Sequence, residues 1–293
     1  MTHLTGSIKS GDVDIFYRRF GTPGLVPMLL FHGGNYYDSH DLIDVAEVLA
    51  QDREVVAFDS RGFGESGWSP SKNYSHSAQM ADVVGLLNHL GWKSAVMVGH
   101  SRGGAYALLT AARFSNRVAG LVLIDYCPGI GIGPRGMPVV ETQSIGNRAK
   151  VFLNADAALA STSRYAGVPE ESATRQRFAN VLQKVDGGVV ISKRDPDFAN
   201  QVPTTPGQGA DLHVGDMWVE LTAVRVPTLV IRALKSASAF TDADIERLRD
   251  HKAGVDIVSI EAGPDVVAEA PDKLIASIKG WTTQHGFAAD TSI

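Results

Sequence analysis

The pattern that most limits what this chain can fold into is Gly99-His100-Ser101-Arg102-Gly103, a serine fenced by two glycines. It lies between the apolar run "SAVMV" and the Ala/Gly-rich stretch "GGAYALLTAARF", so the serine falls where a buried strand turns into a helix. A bend that sharp forces the serine into a strained backbone conformation and brings strand and helix close together. Side chains at positions 99 and 103 would collide there, and glycine has none. A serine raised on such a bend stands at the carboxyl end of the sheet, where open α/β folds place their ligands. The helix behind it adds amide donors and a positive dipole end. A serine hydroxyl is a poor nucleophile near neutral pH unless a base lies within hydrogen-bond reach. His100 is adjacent and points to a different side of the bend, so the base must come from elsewhere.

The rest of the chain repeats the same alternation. "VDIFYRRFG" (13–21) suits an early edge strand, and "PMLLFHGG" (27–34), "EVVAFDS" (54–60), "SAVMVGHS" (94–101) and "VAGLVLIDY" (118–126) are compact apolar runs ending in polar or glycine residues. "VPTLVIRA" (226–233) and "VDIVSIEA" (255–262) follow later. Between them, residues 41–51, 77–91, 102–114, 241–254 and 271–286 carry apolar residues at helical spacing. Ser77 and Thr241 are placed as N-caps, Gly91 and Gly254 as stops. This is the signature of an α/β fold built on a mostly parallel, eight-stranded sheet flanked by helices. Residues 128–222 break the alternation, opening with the glycine- and proline-rich "PGIGIGPRGMP". An insertion that long between core strands reads as a cap or lid, leaving residues 1–127 and 223–293 as the core.

At 293 residues the chain can bury a sizeable core, and a hydrophobic fraction of 44% with 20% charged residues is that of an ordinary globular protein. The net charge of -5 provides no basic field for phosphate backbones, which argues against nucleic acid as a partner. The lone cysteine, Cys127, excludes an internal disulfide and a cysteine-built zinc site, and reads as a buried thiol. The polar start "MTHLTGSIKSGDVD" does not resemble a secretory signal, and no apolar run approaches the length of a membrane span. A soluble, cytoplasmic chain acting on a small molecule, with no membrane partner, is expected. The oligomeric state, a homodimer included, is left open.

Four segments, taken in order, resemble proteins of the α/β-hydrolase fold over about residues 12–283. "FHGGN" (31–35) resembles the family's H-G-x-x loop, and "FDSRGFGESG" (58–67) its D-x-R-G-x-G-x-S segment. "VGHSRGG" (98–104) and then "VPTLVIRA", with a last helix opening at Pro271, complete the order. The resemblance implies a Ser101 nucleophile whose oxyanion is held by the N–H groups of Arg102 and Gly34. It implies no cofactor and no metal. Gly33, Asn35 and Tyr36 on the same loop, with His213 and Trp218 of the cap, are the expected substrate-binding residues; Tyr37 too could line a pocket, although aromatics after a strand are frequently just packing. His32 is expected to brace the loop.

The resemblance fails where the rest of a triad belongs. In "ALKSASAF" (233–240), Ala237 stands where the family's acid is expected, and in "IEAGPDVVAEAPDKL" (260–274) Asp265 occupies the histidine's place. No histidine lies between His251 and His285. Three replacements stay open. Asp125, ending "LVLID", could supply the acid or be structural; Asp265 could be a buried base or an exposed loop residue; His213 could reach the serine from the cap. The leading expectation is a hydrolase acting on a small apolar ester, lactone or carbon–carbon-linked carbonyl compound through Ser101, with Asp125 or Asp265 assisting proton movement. A lyase, isomerase or cyclase of secondary metabolism, or a binding protein without chemistry, are the alternatives.

Overall fold

The computed structural model describes residues 3–34, 37–128, 151–160, 182–185, 187–191, 195, 217–236 and 241–287. Its strands are β1 (Leu4–Ser10), β2 (Val13–Phe20), β3 (Leu25–Phe31), β4 (Arg53–Phe58), β5 (Ala95–His100), β6 (Val118–Ile124), β7 (Val151–Phe152), β8 (Leu182–Val185), β9 (Gly188–Ile191), β10 (Thr228–Ala233) and β11 (Asp256–Ile260). The helices are α1 (Ile43–Leu49), α2 (His76–His89), α3 (Arg102–Arg113), α4 (Ala155–Ala160), α5 (Trp218–Ala223), α6 (Asp242–His251), α7 (Val266–Glu269) and α8 (Pro271–Gln284). Eight strands form one sheet in the order β1-β2-β4-β3-β5-β6-β10-β11. β1 and β2 join it antiparallel and the remaining pairs are parallel.

The period-two rule sorts the central strands cleanly between two cores. Leu29, Phe31, Met97, Leu121, Leu123 and Val230 face one side with α2, α3, α5 and α6. Their neighbours Met28, Leu30, Val96, Val98, Val122, Ile124 and Ile231 face the other with α1 and α8. Residues that alternate in this way are apolar on both faces, which is why the runs look continuous in sequence.

The register fixes where the loops fall. Phe31 pairs with Gly99, His100 with Ile124, Ile124 with Ile231 and Ala233 with Ile260. The carboxyl ends of five strands therefore lie level, and the segments after them, beginning at His32, Ser101, Asp125, Leu234 and Glu261, emerge side by side.

Several details depart from the sequence reading. β1 was not expected: its residues are mostly exposed, so it has no apolar run and is held by its ladder to β2. α2 is capped by Ser75, whose hydroxyl accepts from the Ala78 amide, because Ser77 already lies inside the first turn. Thr241 does cap α6, in a reciprocal box with Asp244. The insertion contributes a separate three-stranded sheet in the order β7-β9-β8, whose strands of two to four residues are too short to show a pattern. The expected boundary at 222/223 falls inside α5, whose Trp218 and Leu221 belong to the first core. Cys127 is buried.

Candidate active site

Ser101 has φ 50° and ψ -118°, a left-handed conformation that costs a non-glycine residue of the order of 1–3 kcal/mol. The surroundings hold it there. Its amide donates to the Ile124 carbonyl at 2.8 Å, and its carbonyl accepts from the Gly104 amide at 2.9 Å. A methyl group on Gly99 would come within 2.5 Å of the Gly103 carbonyl oxygen, and one on Gly103 within 2.5 Å of the His32 oxygen. The glycines are thus what lets α3 begin directly against both the end of β5 and the loop after β3. Ser101 keeps partial exposure.

The same contact brings the two expected oxyanion donors into one neighbourhood. The Arg102 amide belongs to the first turn of α3, where amides point out of the helix end. Gly34 lies against Arg102: a carbon added to it would meet the guanidinium carbon at 2.8 Å. Its loop is braced from below by buried His32. His32 Nδ1–H donates to the Gly33 carbonyl at 2.7 Å and Nε2 accepts from the Ser60 amide at 3.0 Å, which defines the neutral tautomer. Burial pushes its pKa down to about 4, against the opposing pull of Asp59.

The two candidate carboxylates both sit at this edge. Asp125 follows β6 with φ 47°, is 5% exposed and accepts from the Ser236 hydroxyl at 2.8 Å. That bond ties the end of β6 to the turn after β10. Asp265 is 4% exposed, and its Oδ1 is buried and accepts no hydrogen bond from any described residue. The expectation of an exposed loop residue is therefore replaced by a buried one. His100, next to the serine, is committed elsewhere: Nε2–H donates to the Pro264 carbonyl at 2.9 Å, and the ring packs edge-on to Tyr37 at 5.4 Å. That bond draws the Asp265 loop to the end of β5, a link that no motif announced.

Trp218 is not placed as a lining residue. It is 2% exposed, its ring lies 4.4 Å beneath the Arg247 guanidinium and 5.0 Å from His251, and it packs in the core between α3 and α6. Gly33 contacts Tyr37 and His100 rather than open space. Asn35, Tyr36, His213 and Ala237 lie outside the described residues. Around the site, Asp59 accepts from the Ser39 and Glu65 amides at 2.6 and 2.8 Å, and Arg61 holds Asp82 through two bonds at 2.7 and 2.6 Å. Asp195, fully buried, accepts from the Tyr74 hydroxyl and donates its amide to the Gly62 carbonyl at 2.7 Å. Among the described residues no group of three or more His, Cys, Asp or Glu side chains is placed to hold a metal. No described helix is long and apolar enough to cross a membrane.

A strained serine between β5 and α3, at the carboxyl edge of a mostly parallel eight-stranded sheet, is the arrangement of the α/β-hydrolase fold, which this chain adopts. The family model described as alpha/beta hydrolase fold matches residues 26–162. The chain is 34% identical over 161 residues to a bifunctional esterase/perhydrolase of Acinetobacter calcoaceticus, covering 50% of this chain and 57% of that protein. It thus spans little more than half the length of that relative. A 2-(acetamidomethylene)succinate hydrolase of Mesorhizobium japonicum is 27% identical over 276 residues, covering 91% of this chain and 93% of its own. The crystal structure of an E-2-(acetamidomethylene)succinate hydrolase superposes with a TM-score of 0.75 at 21% identity, covering 96% of this chain and all of the other.

Proposed function

We propose that this chain is a hydrolase in which Ser101 attacks the carbonyl carbon of a small ester, lactone or carbon–carbon-linked carbonyl substrate, with Asp265 moving the proton. The carrying observation is the Ser101 backbone, held at φ 50° with its hydroxyl at the helix start beside the loop that carries Gly34. In the first half-reaction the Ser101 hydroxyl gives its proton to Asp265, directly or through one water, as the oxygen bonds to the carbonyl carbon. The oxyanion is held by the Arg102 and Gly34 amides, each worth of the order of 3 kcal/mol in the transition state. Collapse expels the leaving group, which takes the proton from Asp265. Water then attacks the acyl-serine, passing its proton to Asp265, and the acid departs as Ser101 recovers its hydrogen.

Three features support Asp265 as the proton acceptor. It follows β11, the strand that ends level with the serine's own; it is buried, so bulk water is kept from its oxygen; and Oδ1 has no hydrogen bond to a described residue. Asp125 serves as a positioning residue, fastening the turn after β10 through Ser236. The relatives named above, an esterase/perhydrolase and a 2-(acetamidomethylene)succinate hydrolase, are in keeping with a hydrolytic chemistry here.

The test is turnover of short-chain p-nitrophenyl esters by the wild type and Ser101→Ala. Loss of at least a thousandfold in kcat is expected from removal of the nucleophile. Equal turnover would move Ser101 to a hydrogen-bonding role and favour a non-hydrolytic reaction at the same site.

A further inference from the structure

We propose that His100 is a positioning residue for Asp265, holding the loop that carries this carboxylate at a fixed distance from the oxyanion loop; this deepens the hydrolytic reading and rests on Asp265 as its proton acceptor. The sequence puts an imidazole where an apolar side chain is due. Val96, Val98 and His100 alternate along β5, and the two valines face the core covered by α1 and α8. His100 ends that series at 1% exposure. A buried polar ring costs stability unless it is hydrogen-bonded. Here Nε2–H donates to the Pro264 carbonyl at 2.9 Å, in the loop after β11, although β6 and β10 separate β5 from β11 in the sheet. The same ring meets the oxyanion loop. A carbon added to Gly33 would stand 3.1 Å from Nδ1, and the Tyr37 ring lies edge-on at 5.4 Å. The imidazole is thus a spacer between the loop after β3 and the loop after β11.

What the bond fixes is the peptide group that precedes the carboxylate. The Pro264 carbonyl shares a planar unit with the Asp265 amide, so holding its oxygen orients the N–Cα bond of Asp265. The next peptide group is held by α7, where the Asp265 carbonyl accepts from the Ala268 and Glu269 amides at 3.0 and 2.8 Å. The Gly263 amide donates to Glu269 Oε2 at 2.6 Å, and Val266 and Val267 anchor α7 in the same core as Val96 and Val98. The side chain has no comparable tether at Oδ1, which is buried and accepts no hydrogen bond from any described residue. The backbone therefore aims the carboxylate, and His100 refers it to the oxyanion loop. A proton acceptor must come within about 3 Å of the hydroxyl it serves, or reach it through one water, so slack in this loop is felt in turnover. A leucine in place of His100 would fill the space and leave the Pro264 carbonyl without this donor.

A mutant cycle on p-nitrophenyl butyrate decides. His100→Leu should lower kcat by about tenfold to a hundredfold, the scale of a misplacement near 1 Å, with KM changed less than about threefold. His100→Gln, whose side-chain amide offers an N–H close to the Nε2 position, should recover most of the loss. In the Asp265→Asn background, His100→Leu should change kcat by less than about twofold, since the group it positions is gone. A purely structural role would lower kcat by the same factor in both backgrounds. Hydrogen exchange over residues 261–270 should quicken in His100→Leu and return toward the wild type in His100→Gln. Unchanged kcat in His100→Leu, or an equal loss in both backgrounds, overturns the proposal. Should His100→Leu fail to fold, His100→Asn, polar but too short to reach Pro264, takes its place under the same criteria. An Asp265→Asn protein with full turnover overturns the choice of base and the positioning role with it, whereas a loss in Asp265→Asn without one in His100→Leu overturns the positioning role alone. A wild type that turns over no ester overturns the hydrolytic reading, and the exchange result by itself then upholds or overturns the clamp.

Discussion

Replacing Gly103 by alanine tests the elbow at its tightest contact. The new carbon would lie 2.5 Å from the His32 oxygen, 2.6 Å from the Phe31 oxygen and 2.8 Å from the Phe31 carbonyl carbon. These distances are roughly 0.6 to 0.9 Å short of ordinary contact. All three atoms are backbone, so no rotamer change relieves the overlap; α3 and the loop after β3 must separate. Overpacking of this kind costs about 1–3 kcal/mol. A separation approaching 1 Å between the two amide donors should also lower kcat by about a hundredfold. Urea unfolding followed by circular dichroism reads the first effect, and ester turnover reads the second. Gly280→Ala is the control: it lies in α8 with nothing within 4 Å, and should stabilise by about 0.5–1 kcal/mol. A Gly103→Ala protein with wild-type stability and turnover would refute the packing argument.

Asp265→Asn preserves shape and removes the proton acceptor, so kcat on p-nitrophenyl esters should fall by about 10²–10⁴-fold. A variant with unchanged kcat would exclude Asp265 as base. His32 gives a pH dependence of stability. Unfolded, it takes up a proton near 6.5, but in the fold only near 4, so below pH 6.5 the unfolded state binds more protons. Stability should be full above pH 6.5 and fall by up to about 3 kcal/mol as the pH drops to 4. In His32→Gln the loss over this interval should shrink, as read by urea midpoints at several pH values. Tyr74→Phe removes the hydroxyl that donates to fully buried Asp195, and should cost about 1–3 kcal/mol in the same assay.

Much of this fold could be read before any coordinates, and the reasons are local. Gly99 is dictated by contacts with Gly103 and Gly104, within five residues of it, and the buried parallel strands announce themselves by apolar runs on both faces. β1 escaped because an exposed edge strand is held by its partner's ladder and not by its own burial. Asp265 was recognisable as an oddity, but its burial depends on a loop pulled in by His100, a bond between residues 164 positions apart. The placement of the Arg102 side chain over Gly34 was equally out of reach, since it needs β3 and β5 to be neighbours. Trp218 could be read from the letters as a pocket residue or as packing between the insertion and the core, and its stacking against α6 decides between them.

Covalent labelling with a fluorophosphonate, read by peptide mass spectrometry, is the most direct trial of Ser101 as an activated hydroxyl. One adduct is predicted, on the peptide containing Ser101, absent from Ser101→Ala and slower to form in Asp265→Asn. A protein that stays unlabelled, or that reacts at a different serine, would contradict it.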